Sequence, residues 1–257
     1  MNKFRLSNLL FVALGCYIIH GCNTKNLNVI TDLPYVLSEV SGIAIDRGND
    51  LLWMVNDSGN EPVLFRLNAF GEIVDAFKVK AKNKDWEDLT TDNKGNIYIG
   101  DFGNNQNKRK NLRILKIDKK QITSNSTELK PAKISFYYPE QTKFPPKKDK
   151  RVFDCEAFFY NNGYLYLFTK SRAKQTPVFT DLYKIPATEG QHKAEYLGSL
   201  DTCDESECWV TSADINQKGD KIAILTENSV FVLTDFEGDN ILGASKQQYY
   251  FQYASQK

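Results

Sequence analysis

Lys84-Asp85-Trp86-Glu87-Asp88-Leu89-Thr90-Thr91-Asp92-Asn93-Lys94-Gly95-Asn96-Ile97-Tyr98-Ile99-Gly100-Asp101-Phe102-Gly103-Asn104-Asn105 carries the pattern on which the whole chain is built. It predicts a short strand, a polar turn at Gly95, a second strand, and a loop rich in Gly, Asn and Asp. The same order recurs three times. Ser41-Gly42-Ile43-Ala44-Ile45-Asp46 turns into Leu51-Leu52-Trp53-Met54-Val55-Asn56-Asp57. Glu156-Ala157-Phe158-Phe159 turns at Asn161-Asn162-Gly163 into Tyr164-Leu165-Tyr166-Leu167-Phe168-Thr169-Lys170. Ser212-Ala213-Asp214-Ile215 turns at Lys218-Gly219-Asp220 into Lys221-Ile222-Ala223-Ile224-Leu225-Thr226. Repetition at a regular spacing outranks other sequence signals for the fold.

Each pair is followed by two further strand candidates. In the first unit they are Val63–Leu67 and Ile73–Val79, in the second Leu112–Ile117 and Ala132–Tyr138. In the third they are Leu182–Ile185 and Ala194–Leu197, in the fourth Val230–Leu233 and Gln248–Phe251. Four short strands in roughly 45 residues is the size of a propeller blade. The mature chain has no amphipathic helix of three turns, which argues against an α/β fold. Its strand candidates are too short and too unevenly patterned for a transmembrane barrel. The expectation is an all-β fold, a β-propeller of about four to five four-stranded blades over residues 38–257.

Residues 1–21 read as an export signal. Lys3 and Arg5 lead an apolar run, Leu9–Leu14 continued by Tyr17-Ile18-Ile19, which ends at His20-Gly21-Cys22. A small residue before Cys resembles a lipoprotein cleavage box. Cys16 and Cys22 both answer to it. Cys22 is preferred, because cleavage at Cys16 leaves Tyr17-Ile18-Ile19 as an apolar stub. Residues 22–37 then form a tether and lead-in, with Asn28–Ile30 and Tyr35–Leu37 as short strand candidates. Removing residues 1–21 takes away Lys3 and Arg5 and no acid, leaving 31 basic against 32 acidic residues and a net charge of −1. That balance gives nucleic acid no field to follow. In an exported chain, Cys203 and Cys208 suit a small disulfide loop, and Cys155 is left over for the interior.

Ser41–Ala44, Asn56–Gly59, Asp85–Asp88, Gly100–Asn105, Asp154–Ala157 and Thr211–Asp214 together resemble the SdiA-regulated-like group of bacterial envelope β-propellers. That group is related at a distance to gluconolactonase-like and NHL-type propellers. The resemblance runs from Val40 to the C-terminus and is most specific in the first two units. It implies a propeller on an exported or lipid-anchored protein of the cell envelope, here at the outer membrane. Members of the group usually continue with another Glu-Ala-type unit where this chain stops. Either the chain is cut short, or Asn28–Leu37 helps to close the ring.

Aligned on their first strands, the units place Ser41, Glu87, Glu156 and Ser212 at one position. Glu39, Asp85, Asp154 and Val210 fall two residues earlier, and Asp57, Asp101, Lys170 and Thr226 at the ends of the second strands. Acids therefore recur around one mouth of the ring. Asp57, Asp85, Glu87, Asp101 and Glu156 are candidate ligands for a hard cation, Ca2+, which takes 6–8 oxygens. The same acids also suit a structural network with Lys170 and Arg172, and both readings stand at this stage. The only histidine after the leader is His192, in a polar loop, so a Ser-His-Asp triad or a multi-histidine metal site lacks material. Two functions lead, with a purely structural module in a larger assembly as a third reading. One is a lipid-anchored binding module for a protein, peptide or glycan. The other is a metal-dependent hydrolase of lactones or phosphoesters with a carboxylate as its base.

Overall fold

β-Branched and aromatic runs, cut by turns that need a left-handed residue, assemble as the repeat requires. Gly95, at a φ of 79°, is one such turn residue. In the computed structural model, which describes residues 24–27, 29–46, 48–173, 178–203 and 208–252, a short strand β1 (Thr24–Asn26) precedes four blades. The first blade is β2 (Val40–Asp46), β3 (Leu51–Asn56), β4 (Val63–Asn68) and β5 (Ile73–Val79). The second is β6 (Trp86–Thr91), β7 (Ile97–Asp101), β8 (Arg113–Ile117) and, after a short β9 (Glu128–Leu129), β10 (Ala132–Tyr137). The third is β11 (Asp154–Asn161), β12 (Tyr164–Lys170), β13 (Val178–Pro186) and, after β14 (Gly190–Lys193), β15 (Glu195–Cys203). The fourth is β16 (Val210–Ile215), β17 (Ile222–Thr226), β18 (Ser229–Thr234) and β19 (Ser245–Gln252). The four antiparallel sheets stand in a ring, and the fold is a four-bladed β-propeller.

The core lies between the blades. Trp53, Phe77, Trp86 and Ile99 fill the space between the first and second. Phe102, Phe136, Phe158 and Tyr183 fill the next, and Phe159, Phe168, Ile224 and Phe231 the one after. Trp53, Trp86 and Tyr98 are thus blade-packing residues, all buried. β2 and β6 approach so closely that a Cβ on Gly42 would stand 2.8 Å from the backbone of Asp88.

Three blades gain a fifth strand at their outer edge, each paired in parallel. β9, from the second blade's chain, pairs with β5, and β14, from the third, pairs with β10. β1 pairs with β19. The connection between β18 and β19 lies against the third blade without strand pairing, and Leu242 there fills the space beside Gly198. The outer edges are thereby covered by chain from another blade or, on β19, by the N-terminal strand, which blunts them.

The lead-in differs from its expectation. Tyr35–Leu37 is a 3-10 turn, and 29–34 form no strand. Pro34, which has no amide hydrogen, starts the turn, and Leu37 drops into the first blade against Met54, Phe65 and Leu67. The N-terminal segment does contribute a strand, at 24–26, on the outside of the fourth blade. The leader with Cys16 and Cys22 lies outside the described residues. Cys203 and Cys208 are joined in a disulfide, and Cys155 is a buried free thiol.

Candidate functional site

Every inner strand carries a one-residue bulge at the same level. The register of β2 on β3 slips between Val40 and Gly42, and that of β6 on β7 between Trp86 and Asp88. β11 slips between Cys155 and Ala157, and β16 between Val210 and Ser212. A bulge leaves its extra residue outside the ladder and re-aims the side chain. The four extra residues are Ser41, Glu87, Glu156 and Thr211, and all four line one cavity of about 450 Å³, with Glu39, Val40, Asp57 and Ser58. This cavity is the mouth of the ring. The fourth position is Thr211, one residue before the Ser212 expected from the alignment. A larger cavity, about 590 Å³, lies under the 139–153 loop and includes none of the four.

Within the mouth, one oxygen each of Asp57, Asp85 and Glu87 lies within 4.8 Å of the others. Asn83 sets this convergence. Its amide donates to the carbonyls of Asn56 (3.0 Å) and Asp57 (2.7 Å), and its carbonyl accepts from Trp86 N at 3.1 Å. It thus clamps the end of β3 to the start of β6. Gly103 forms the back of the cluster, where a Cβ would stand 2.6 Å from the carboxyl carbon of Asp85. The Ser41 hydroxyl in the same cavity is buried and makes no hydrogen bond. Burial, then the neighbouring Glu156, Asp57 and Asp85, hold the Glu87 carboxyl well above the usual carboxylate range. Burial also raises Asp85, against a hydrogen bond from Ser58 and the nearby Arg109.

Behind Glu156, two cations pair with two acids. Arg172 Nε stands 2.6 Å from Asp154 and Nη2 2.8 Å from Glu156, and Lys170 Nζ is 3.6 Å from Glu156. Burial and Asp154 still raise the Glu156 carboxyl, with Lys170 and Arg172 pulling it down. Trp209, next to the disulfide, covers both cations, 5.1 Å from Lys170 Nζ and 5.4 Å from Arg172 Cζ. Glu156 therefore enters the mouth already paired.

Asp101 does not join the cluster. Its carboxylate is fully buried and shared by Arg109 (2.8 Å) and Arg113 (2.6 Å). Arg109 stands between it and Asp85, 3.9 Å from the latter. Both Asp101 oxygens are taken, so its place is in a structural ion pair. Asp88, one residue beyond Glu87, is a further buried acid. Its carboxyl accepts from Leu89 N (2.8 Å), Phe158 N (3.3 Å) and Ser212 Oγ (3.1 Å), joining the second, third and fourth blades below the mouth.

The chain is thus a four-bladed propeller with a carboxylate cluster at one mouth. No family model matches this chain, and no curated protein matches it. Among solved structures, it is similar to virginiamycin B lyase from Staphylococcus aureus (14% identity, TM-score 0.42, covering 87% of this chain and 59% of the lyase). A chain of a nidogen/laminin complex is similar at 11% identity and TM-score 0.46, over 83% of this chain and 68% of that one. The Dos1 propeller is similar at 13% identity and TM-score 0.41, over 76% of this chain and 43% of that one. This chain spans about three-fifths of the lyase's length.

Proposed function

We propose that the chain is a membrane-tethered binding module of the cell envelope, whose mouth takes a divalent cation through Asp57, Asp85 and Glu87. The observation that carries the reading is the convergence of these three carboxylates, from two blades, to within 4.8 Å. Two oxygens that each lie about 2.4 Å from one ion are at most about 4.8 Å apart, which suits Ca2+ at 2.3–2.6 Å. An all-oxygen set selects a hard cation, and water reaching the half-buried cluster completes the shell. The unbonded Ser41 hydroxyl in the same cavity supports the same reading. When bound, the cation neutralises carboxylates that otherwise repel one another and fixes the cluster beside Lys170, Arg172 and Trp209. The surface so formed presents charge and an aromatic face to a protein, peptide or glycan. The leader, Cys22 and the likeness to the SdiA-regulated-like group support an envelope setting, with the anchor in the outer membrane.

The test is the melting temperature of the protein against calcium concentration, since an ion bound by the folded state alone raises it. A saturable rise is expected, lost in both Glu87→Gln and Asp57→Asn. Asp101→Asn is unsuitable as a control, because it breaks an ion pair at any calcium concentration. No rise at millimolar calcium overturns the cation site. Lactone and phosphoester hydrolysis, followed in the same samples with and without calcium, tests for turnover at these carboxylates.

A further inference from the structure

We infer that the tethered propeller rests on the bilayer through the lower corner of its first blade, at Val29, Ile30 and Phe70, with the acidic mouth turned away from the membrane. The inference rests on the tether proposed above. Val29, Ile30 and Phe70 are 84%, 83% and 78% exposed. They belong to one neighbourhood. Thr31 Oγ1 donates to the Phe70 carbonyl at 2.8 Å, and a Cβ on Gly71 would stand 2.9 Å from the Thr31 methyl group. The lead-in therefore lies on the turn between β4 and β5. That turn is fixed, with Phe70 N and Glu72 N both donating to Asn68 Oδ1 at 2.9 and 3.0 Å. It offers an aromatic ring to the outside at little further entropic cost.

The register sets the direction. Asn68 pairs with Leu51, where β3 begins, and β3 ends at Asn56, beside the mouth. Phe70 is thus at the opposite end of the blade from Asp57. At the same end of the second blade, Lys119 N is bonded to Asn96 Oδ1 (3.0 Å) beside the turn at Gly95. Lys94, Lys119 and Lys120 are exposed there without ion pairs among the described residues, placed to meet headgroup phosphates.

The sequence upstream says what covers the patch. An apolar run at 9–19 and Cys22 precede β1. The seven residues from Cys22 to Val29 span at most about 25 Å, so a bilayer holding Cys22 lies within reach of the corner. Three side chains fall well short of the roughly 800 Å² that each partner gives to a stable protein interface. An aromatic and aliphatic wedge, with lysines at the same end of the next blade, suits an interfacial contact.

The test uses the full chain in vesicles of zwitterionic and anionic phospholipid. An environment-sensitive dye is placed at Phe70→Cys or, on the mouth end, at Glu61→Cys. Expected is flotation with the vesicles, at least threefold stronger quenching by lipid-borne quencher at position 70 than at 61, and the reverse order with a water-soluble quencher. Flotation with equal quenching at both positions overturns the seating alone. Failure to float overturns the tether and the seating together. Flotation with quenching only at 61 places the mouth on the membrane and overturns the orientation.

Discussion

Asp88, Asp101 and Asp154 are fully buried acids at or below the mouth, and each already has partners. Replacing Asp88 with alanine strands Phe158 N and Ser212 Oγ, at about 1–3 kcal/mol for each unsatisfied donor. Asp88→Ala should lose about 2–4 kcal/mol in urea denaturation, equally with and without calcium, and Asp88→Asn less. Asp101→Asn leaves two guanidinium groups without their shared charge, and breaking such a buried pair costs about 3–5 kcal/mol. The mouth carboxyls behave differently. Glu87 and Glu156 are pushed up to about 10 and about 8 from an ordinary 4.5. The folded state therefore keeps these protons while the unfolded chain releases them. Their contribution is complete below about pH 4.5 and is lost as pH rises through the folded values. In chelator, the protein should melt at a higher temperature at pH 6 than at pH 8, and Glu87→Gln should flatten that slope. Calcium binds the ionised form, so its stabilising effect should grow over the same interval. A slope unchanged in Glu87→Gln would show that Glu87 does not titrate in this way.

At the scale of the strand, the mouth is made by the bulges. The hairpins and turns were readable in the sequence, because apolar residues set the strands and Gly, Asn and Asp set the turns. A bulge leaves no mark in composition, and so the alignment slid to Ser212 where Thr211 faces the cavity. Asp101 shares its strand-end position with Asp57, yet Arg109 and Arg113 claim it from the following loop and β8. That pairing depends on where a third strand lies, which no local pattern reports. β1, β9 and β14 were missed because two to four residues are too few to show a period. The tightest contact between inner strands gives a further test. In Gly42→Ala the new methyl meets the Asp88 backbone, which has no flexible end to move aside. Overpacking of this kind costs about 1–3 kcal/mol. A calorimetric melting temperature within a degree of the parent would mean that β2 and β6 part at no cost.

At the scale of the whole ring, the blades are joined unequally. β2 packs on β6, β6 on β11 and β11 on β16, whereas β16 and β2 touch least among these neighbours. Ile43 and Ile45, on the face of β2 that turns away from the second blade, stay about half exposed. The seam between the fourth and first blades is therefore where opening costs least apolar burial. The N-terminal segment works across this seam. β1 pairs with β19 of the fourth blade, and Leu37 is buried in the first, held by the bond from Asn56 Nδ2 to the Val36 carbonyl at 2.7 Å. Removing residues 1–26 deletes one end of that strap and uncovers the outer edge of β19. Amide exchange should then speed up most in β18 and β19, more than tenfold, while β6 and β7 exchange at their former rates. Equal acceleration in all four blades would refute a weak seam, because the ring would then be opening as one cooperative unit.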